Sequence, residues 1–160
     1  MNDLRRWLRL DRTLLLSIAV IAFFAVMDIK QISGWSQVSD ANKWVLYEGF
    51  SAPAIFGLWI VTLAVMGVVW ALATKDTSEG LAVFFSPLIL LLFGLEDLFV
   101  YLFSGERFPV CLTWLNDNVG VGSVAKFFGY ECVTGASLVL SVLIGFVLSY
   151  VVYGWLKRYR

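Results

Sequence analysis

Four apolar segments, each long enough to cross a membrane as a helix, constrain the fold of this chain more than any other feature. They cover residues 13–32, 52–74, 81–103 and 136–156. A helix rises about 1.5 Å per residue, so about 20 residues cross the hydrocarbon core of a bilayer, which is roughly 30 Å thick. The sequence therefore predicts an all-α integral membrane protein, with four transmembrane helices in a single domain spanning residues 1–160.

The composition agrees with this class and excludes several kinds of function. Hydrophobic residues make up 60% of the chain and charged residues 15%, which is more apolar surface than a soluble domain of this size buries. The chain has no histidine, so catalysis or metal binding that depends on histidine is excluded. Net charge is zero and no Gly-rich phosphate loop is present. We therefore expect no nucleic-acid partner, no metal and no cofactor.

The distribution of Lys and Arg predicts the orientation, because cytoplasmic loops carry an excess of these residues. Eight of the 12 lie in the N-terminal tail, the 75–80 turn and the C-terminal tail. Both termini are therefore expected in the cytoplasm, with the protein in the plasma membrane. Residues 33–51 and 104–135 would then form an outer cap with short interfacial helices. A cleaved signal peptide is the alternative interpretation of the first segment, because Arg5, Arg6 and Arg9 precede an apolar run.

Two adjacent acids, Glu96 and Asp97, are the only charged residues in the third apolar segment. An ionisable group inside a bilayer costs several kcal/mol unless it faces protein, water or a partner. Asp28 and Glu96 each lie 15 residues after the predicted inner end of their segments, about 22 Å along a helix. We therefore expect a ligand-binding cluster near the outer leaflet, formed by Asp28, Lys30, Glu48, Glu96, Asp97 and Tyr101.

Helical spacing assigns different directions to the two adjacent acids. Asp97 shares a face with Gly94 and Tyr101, so we expect it to point into the bundle with Tyr101 as a hydrogen-bond partner. Glu96 then faces a neighbouring helix, another subunit or a lateral opening. Pro87 removes one helix hydrogen bond and is expected to kink the segment below the acids.

The cluster has a functional and a structural interpretation. As a site, it would bind a cation, a proton or a polar head group, because it holds four acids and one lysine. As a structural feature, it would be an internal network, for example Lys30 with Asp97, that fixes helix packing.

Both cysteines, Cys111 and Cys132, lie in the 104–135 connection. In an oxidising compartment a disulfide between them would close a loop of about 20 residues and stabilise the fold by roughly 3 kcal/mol. Two unpaired thiols, or a redox pair, are the alternatives.

A stripe of small residues at a spacing of four marks the last apolar segment. Small residues let helices approach closely, and serines hydrogen-bond across the contact. The stripe predicts a helix-packing seam, with a polar pore lining as the alternative, and consists of Ser137, Ser141, Gly145 and Ser149.

The stretch GLEDLFVYL, residues 94–102, is similar to the paired-carboxylate stretch of membrane lycopene cyclases, whose acids protonate a polyene. The similarity covers fewer than ten residues. The proline that often precedes the pair in that family is replaced by Gly94-Leu95, and a second motif is missing. We therefore do not assign the chain to this family.

Three functions fit these features. The first is a membrane protein that binds a cation, a proton or a small polar ligand at the carboxylates, coupled to transport. The second is a membrane enzyme acting on a lipid or isoprenoid, with Glu96 or Asp97 as the catalytic acid or base. The third is a non-catalytic subunit or assembly factor. Membrane lipid is an expected partner in each case, and a homo-oligomer or a larger membrane complex fits all three.

Overall fold

The computed structural model describes residues 2–34 and 52–158, and its regular structure there is entirely helical. This confirms the all-α prediction for the described residues. In chain order the α-helices are α1 Asn2–Gly34, α2 Ala52–Thr74, α3 Thr77–Leu92, α4 Leu95–Ser104, α5 Val121–Phe127 and α6 Gly135–Arg158. A short 3₁₀ turn, Thr113–Leu115, lies between α4 and α5.

Three of these helices are long and apolar enough to cross a membrane. Their apolar windows are Arg12–Ile29 in α1, Phe56–Thr74 in α2 and Gly135–Leu156 in α6. The pair α3 and α4 passes the same test jointly, so there are up to four crossings if the bent pair counts as one. By length and composition, then, three to four helices could span a bilayer.

Helix α3 lies at the centre of the bundle and packs against α1, α2 and α6. One buried cluster joins Ile21 of α1, Leu90 of α3 and Val142 of α6. A second joins Phe24 of α1 to Leu63 of α2. Helix α2 is the most peripheral, since only 17% of its apolar window is buried.

A tight turn joins α2 to α3. Lys75 adopts a left-handed conformation with φ 55°. The carboxylate of Asp76 caps α3, accepting hydrogen bonds from the backbone N–H groups of Ser78 and Glu79 at 3.0 and 3.3 Å. Helix α3 therefore begins at Thr77, earlier than the predicted start of the third segment at residue 81, because Asp76 satisfies its first free N–H groups.

The third segment is a broken helix and not the single helix predicted over residues 81–103. The helix ends at Leu92, resumes at Leu95, and the two parts differ in direction by 65°. Gly94 has φ 83°, and its N–H donates to the carbonyl oxygen of Leu91 at 3.0 Å. Glycine adopts this conformation without steric cost, so the chain turns here. Pro87 lies inside α3, and the kink predicted there is replaced by a break six residues later.

The segment between α4 and α6, residues 105–134, is called the cap segment below. It packs on the end of the bundle through a buried cluster of Leu112, Leu115, Val121, Ala125, Val133 and Leu138. Helix α5 has Gly120 at its N-cap, where the Asn118 side chain accepts from the backbone N–H groups of Gly120 and Val121. Ser123, a residue type that often caps helices, lies within the helix and not at its N-cap. The other predicted cap region falls on residues 35–51, outside the described residues.

Candidate functional site

Glu96 and Asp97 occupy the first turn of α4, directly after the break at Gly94. The first backbone N–H groups of a helix have no partner within it. In α4 the first regular helical bond runs from the N–H of Leu98 to the carbonyl oxygen of Gly94, at 3.0 Å. Glu96 and Asp97 precede that bond, at the end of the helix where the N–H groups are free of helical partners. The positive end of a helix dipole stabilises a nearby carboxylate by about 0.3–1 kcal/mol. Burying the charge in an apolar interior costs several kcal/mol. The helix terminus therefore offsets only a small part of that cost.

Glu96 is the more deeply buried of the two acids, with 7% of its surface exposed. Its Oε1 atom is buried and has no hydrogen-bond partner among the described residues. The carboxylates of Asp97 and Asp28 both act on it electrostatically. Since these groups carry the same sign of charge, a fully ionised cluster is self-repelling.

Asp97 is half-buried and interacts with the cap segment. The indole Nε1–H of Trp114 donates a hydrogen bond to its Oδ1 at 3.4 Å. Asp97 therefore meets the cap segment, whereas it was expected to point into the bundle. The reason is the 65° bend: a helical wheel drawn for a straight segment assigns the wrong face to residues beyond it. Glu96 is buried and interacts with Asp28 of α1, which agrees with the prediction that it faces a neighbouring helix.

Asp28 supplies the third carboxylate of the site. It lies on α1, which packs against both α3 and α4, and is 7% exposed. It interacts electrostatically with both Glu96 and Asp97. Equal depth along two helices predicted this proximity, and the structure brings the three acids together.

The remaining predicted site residues divide into two groups. Tyr101 lies near Asp97 and interacts with it electrostatically, while its ring packs against Phe108 with centroids 4.5 Å apart. The side chain that donates a hydrogen bond to Asp97 is thus that of Trp114, whereas the sequence predicted Tyr101 as the partner. Glu48 and the side chain of Lys30 lie outside the described residues.

The described carboxylates do not form a metal centre. In residues 2–34 and 52–158, no group of three or more His, Cys, Asp or Glu side chains is arranged to hold a metal ion. The described acids that come together here, Asp28, Glu96 and Asp97, form a small acidic cluster.

Two members of the small-residue stripe, Gly145 and Ser149, lie where α6 meets α3. A Cβ atom on Gly145 would lie 2.7 Å from the Cβ of Phe93, so the helices touch closely there. Ser137 accepts a hydrogen bond from the backbone N–H of Thr134 at 2.8 Å, at the start of α6. Ser141 is fully buried, and within the described chain its hydroxyl oxygen has no hydrogen-bond partner.

The disulfide prediction concerns two residues at the base of the cap segment. Cys111 and Cys132 lie at disulfide distance, with their Cα atoms 5.8 Å apart. Next to them, the backbone N–H of Leu112 donates to the carbonyl oxygen of Val133 at 2.7 Å. The two strands of chain that carry the cysteines are therefore held side by side.

Two features of the site were not predicted from the sequence. Trp114 contacts an acid 17 residues away in the chain, and no local pattern marks such a contact. Gly94, directly before Leu95 and Glu96, was a usable signal for the break, since a glycine inside an apolar helix favours an end or a bend.

Comparison with protein-family models, with curated proteins and with solved structures finds no match to this chain. Its class is therefore defined by its own fold and site: a helical bundle with three to four candidate membrane spans and a buried acidic cluster at a broken helix.

Proposed function

We propose that this chain is an integral membrane protein that binds a proton or a small monovalent cation at Glu96, Asp97 and Asp28. The observation that carries the proposal is the environment of Glu96. Its carboxylate is 7% exposed, has an unpartnered buried oxygen within the described chain, and lies in the field of two other acids.

Charge is the argument for the ligand class. A carboxylate in an apolar interior is costly when ionised, and neighbouring acids increase that cost. A bound proton removes the charge, and a bound monovalent cation compensates it. Multidentate metal binding is not supported by the described side chains.

The break between α3 and α4 supports coupling to transport. Irregular backbone at membrane depth is tolerated where it is enclosed by protein or lines a cavity. Transporters use broken helices to place binding groups near the middle of a bundle. Here the break places two acids beside α1, and the cap segment contacts the same break through Gly120 and Val121.

The proposed topology has four crossings, with α3 and α4 forming the third. Both termini lie in the cytoplasm of a cell with this protein in its plasma membrane, which is supported by the Lys and Arg distribution. The cap segment and the carboxylates then lie toward the outer surface.

The test uses the full chain purified in detergent. Proton uptake is measured with an indicator dye as weakly buffered samples are acidified from about pH 8 to about pH 5. Thermal unfolding is measured in parallel in sodium, potassium and choline chloride at equal ionic strength. Proton binding predicts that Glu96→Gln takes up fewer protons than the unmodified chain. Cation binding predicts that sodium or potassium raises the melting temperature relative to choline, and that Glu96→Gln loses this increase.

Asp117→Asn is the matched control, because Asp117 is a fully exposed acid of the cap segment. It should reproduce the unmodified chain near the neutral end of the titration and in the salt series. If Glu96→Gln also matches the unmodified chain in both assays, the cluster binds neither ligand and the proposal is wrong. A lower melting temperature of Glu96→Gln with unchanged uptake and salt response would assign the acids to helix packing.

A further inference from the structure

We propose that Trp114 is a positioning residue for Asp97, and that the bond between Cys111 and Cys132 holds it in place. Reduction of that bond would then alter ligand binding at the carboxylates. This inference rests on the proposed function, because it assigns a form of control to the same site. The observations that carry it are a chain of contacts from the two cysteines through the cap segment to Asp97.

The first contact joins the cap segment to the site. Trp114 lies in the 3₁₀ turn Thr113–Leu115, and its indole N–H donates to Oδ1 of Asp97 at 3.4 Å. A hydrogen bond to a charged group favours the ionised form. Trp114 thus opposes binding of a proton by Asp97.

The second set of contacts fixes the turn that carries Trp114. Cys111 lies three residues before it, with its Cα 5.8 Å from that of Cys132. Leu112 and Val133 are joined by a backbone hydrogen bond of 2.7 Å. The backbone N–H of Val133 also donates to the side-chain oxygen of Asn116 at 2.8 Å. The turn is therefore held from both sides by the segment next to Cys132.

The third contact joins the cap segment to Gly94, at the break between α3 and α4. Hypothetical Cβ atoms on Gly94 would lie 2.7 Å from Val121 and 2.5 Å from Leu138, so α5 and α6 close tightly around this glycine. The indole of Trp114 packs against the same buried cluster that contains Val121. Movement of the turn would therefore change the hydrogen bond between Trp114 and Asp97. Helix α5 would meanwhile stay packed against Gly94.

Both cysteines are only partly buried, and their neighbours Val110 and Glu131 are exposed, so a small dithiol can reach the bond. In the exchange, the dithiol is oxidised to its cyclic disulfide and the Sγ–Sγ bond breaks to give two thiols. Two electrons and two protons pass from the reductant to Cys111 and Cys132. The proposal requires no other reactant.

The experiment compares four samples of the full chain in detergent: the oxidised protein, the dithiothreitol-treated protein, Trp114→Phe, and Trp114→Phe treated with dithiothreitol. Phenylalanine keeps an aromatic ring and removes the N–H donor. The readout is the apparent proton affinity from dye uptake, and mass measurement after alkylation counts the thiols released. We expect Trp114→Phe to bind the proton about tenfold more tightly, as loss of one hydrogen bond to a charged group predicts.

Reduction should produce a change in the same direction in the protein with Trp114, and little or none in Trp114→Phe. Two changes that act through one contact are not additive. A purely structural role of the bond would instead lower the melting temperature of both proteins equally and leave proton affinity unchanged. Equal effects of reduction on proton affinity in both backgrounds would overturn the role of Trp114.

Two further measurements keep the outcome decisive. If mass measurement shows that dithiothreitol does not break the bond, the double variant Cys111→Ser, Cys132→Ser replaces reduction. If Glu96→Gln matches the oxidised chain both in proton uptake and in the salt series, the proposed function itself has failed. If Glu96→Gln loses uptake while Trp114→Phe and reduction change nothing, only the present inference is wrong.

Discussion

Ser149 on α6 donates a hydrogen bond from its hydroxyl to the backbone carbonyl oxygen of Ser86 on α3, 3.2 Å away. Both residues are buried. This contact crosses the interface at which Gly145 meets Phe93. The same face of α6 thus contains one serine with an interhelical partner and another, Ser141, whose oxygen has none among the described residues.

The two serines are expected to respond oppositely to the same substitution. Ser149→Ala removes a hydrogen bond and should lower the free energy of unfolding by about 0.5–1.5 kcal/mol. Ser141→Ala removes a buried polar atom without a described partner, so it should leave stability unchanged or raise it by about 1 kcal/mol. Thermal unfolding in one detergent measures both. Equal losses in the two variants would show that Ser141 has a partner, such as a water molecule.

Gly94→Ala is expected to be strongly destabilising. Gly94 has φ 83°, and an added Cβ would lie 2.5 Å from Leu138 and 2.7 Å from Val121. The left-handed conformation alone costs about 1–2 kcal/mol for a residue with a Cβ, and overpacking adds about 1–3 kcal/mol.

Gly105→Ala is the matched control for Gly94→Ala. Gly105 has φ 71° and nothing within 4 Å of an added Cβ, so only the conformational cost applies. The difference between the two melting temperatures therefore measures the packing at the break. Similar losses in both would contradict the close contact of α5 and α6 around Gly94.

Cys132→Ser should lower stability under oxidising conditions. The two cysteines are 21 residues apart in the chain, and closing a loop of that size stabilises a fold by roughly 3 kcal/mol. Cys111→Ser should have the same effect, and reductant should abolish the difference between either variant and the parent. Mass measurement of protein isolated without reductant should find no free thiol, and two alkylated cysteines in that sample would disprove the bond.

Single cysteines test the orientation of the chain. In a Cys111→Ser, Cys132→Ser background, Asn2→Cys should react with a membrane-impermeant maleimide only after the cells are opened. Asp117→Cys should react in intact cells, because the topology we propose from the Lys and Arg distribution has the cap segment outside. Reaction of position 117 from the cytoplasmic side alone would invert the proposed topology.

Helix content and span positions were predictable because they depend on long apolar runs. The windows found in α2 and α6 start four residues and one residue away from the predicted segments 52–74 and 136–156, and end at the same residues. The cysteine pairing was predictable for a simpler reason, since the chain contains two cysteines and so allows one intramolecular pair. Both features follow from composition and counting.

The geometry of the acids was not predictable from spacing. The apolar run from Leu81 to Phe103 has the length and composition of one helix, and its pattern predicts a kink at Pro87, not at Gly94. The conformation of Gly94 depends on its neighbours in α5 and α6, which are far away in the chain. Once the helix turns there, the directions of Glu96 and Asp97 follow from α4, and no rule based on a continuous helix recovers them.

In the proposed topology, the bend between α3 and α4 also sets the length that this crossing can span. The 16 residues of α3 rise about 24 Å. The ten residues of α4 are about 15 Å long, but at 65° they add only about 6 Å along the direction of α3. The pair thus reaches about 30 Å, equal to the hydrocarbon core of an average bilayer with nothing to spare. Helix α6, with an apolar window of 22 residues, is longer and could tilt. In the proposed topology, a change in bilayer thickness would therefore be accommodated by the angle at Gly94, directly before the segment that carries Glu96 and Asp97.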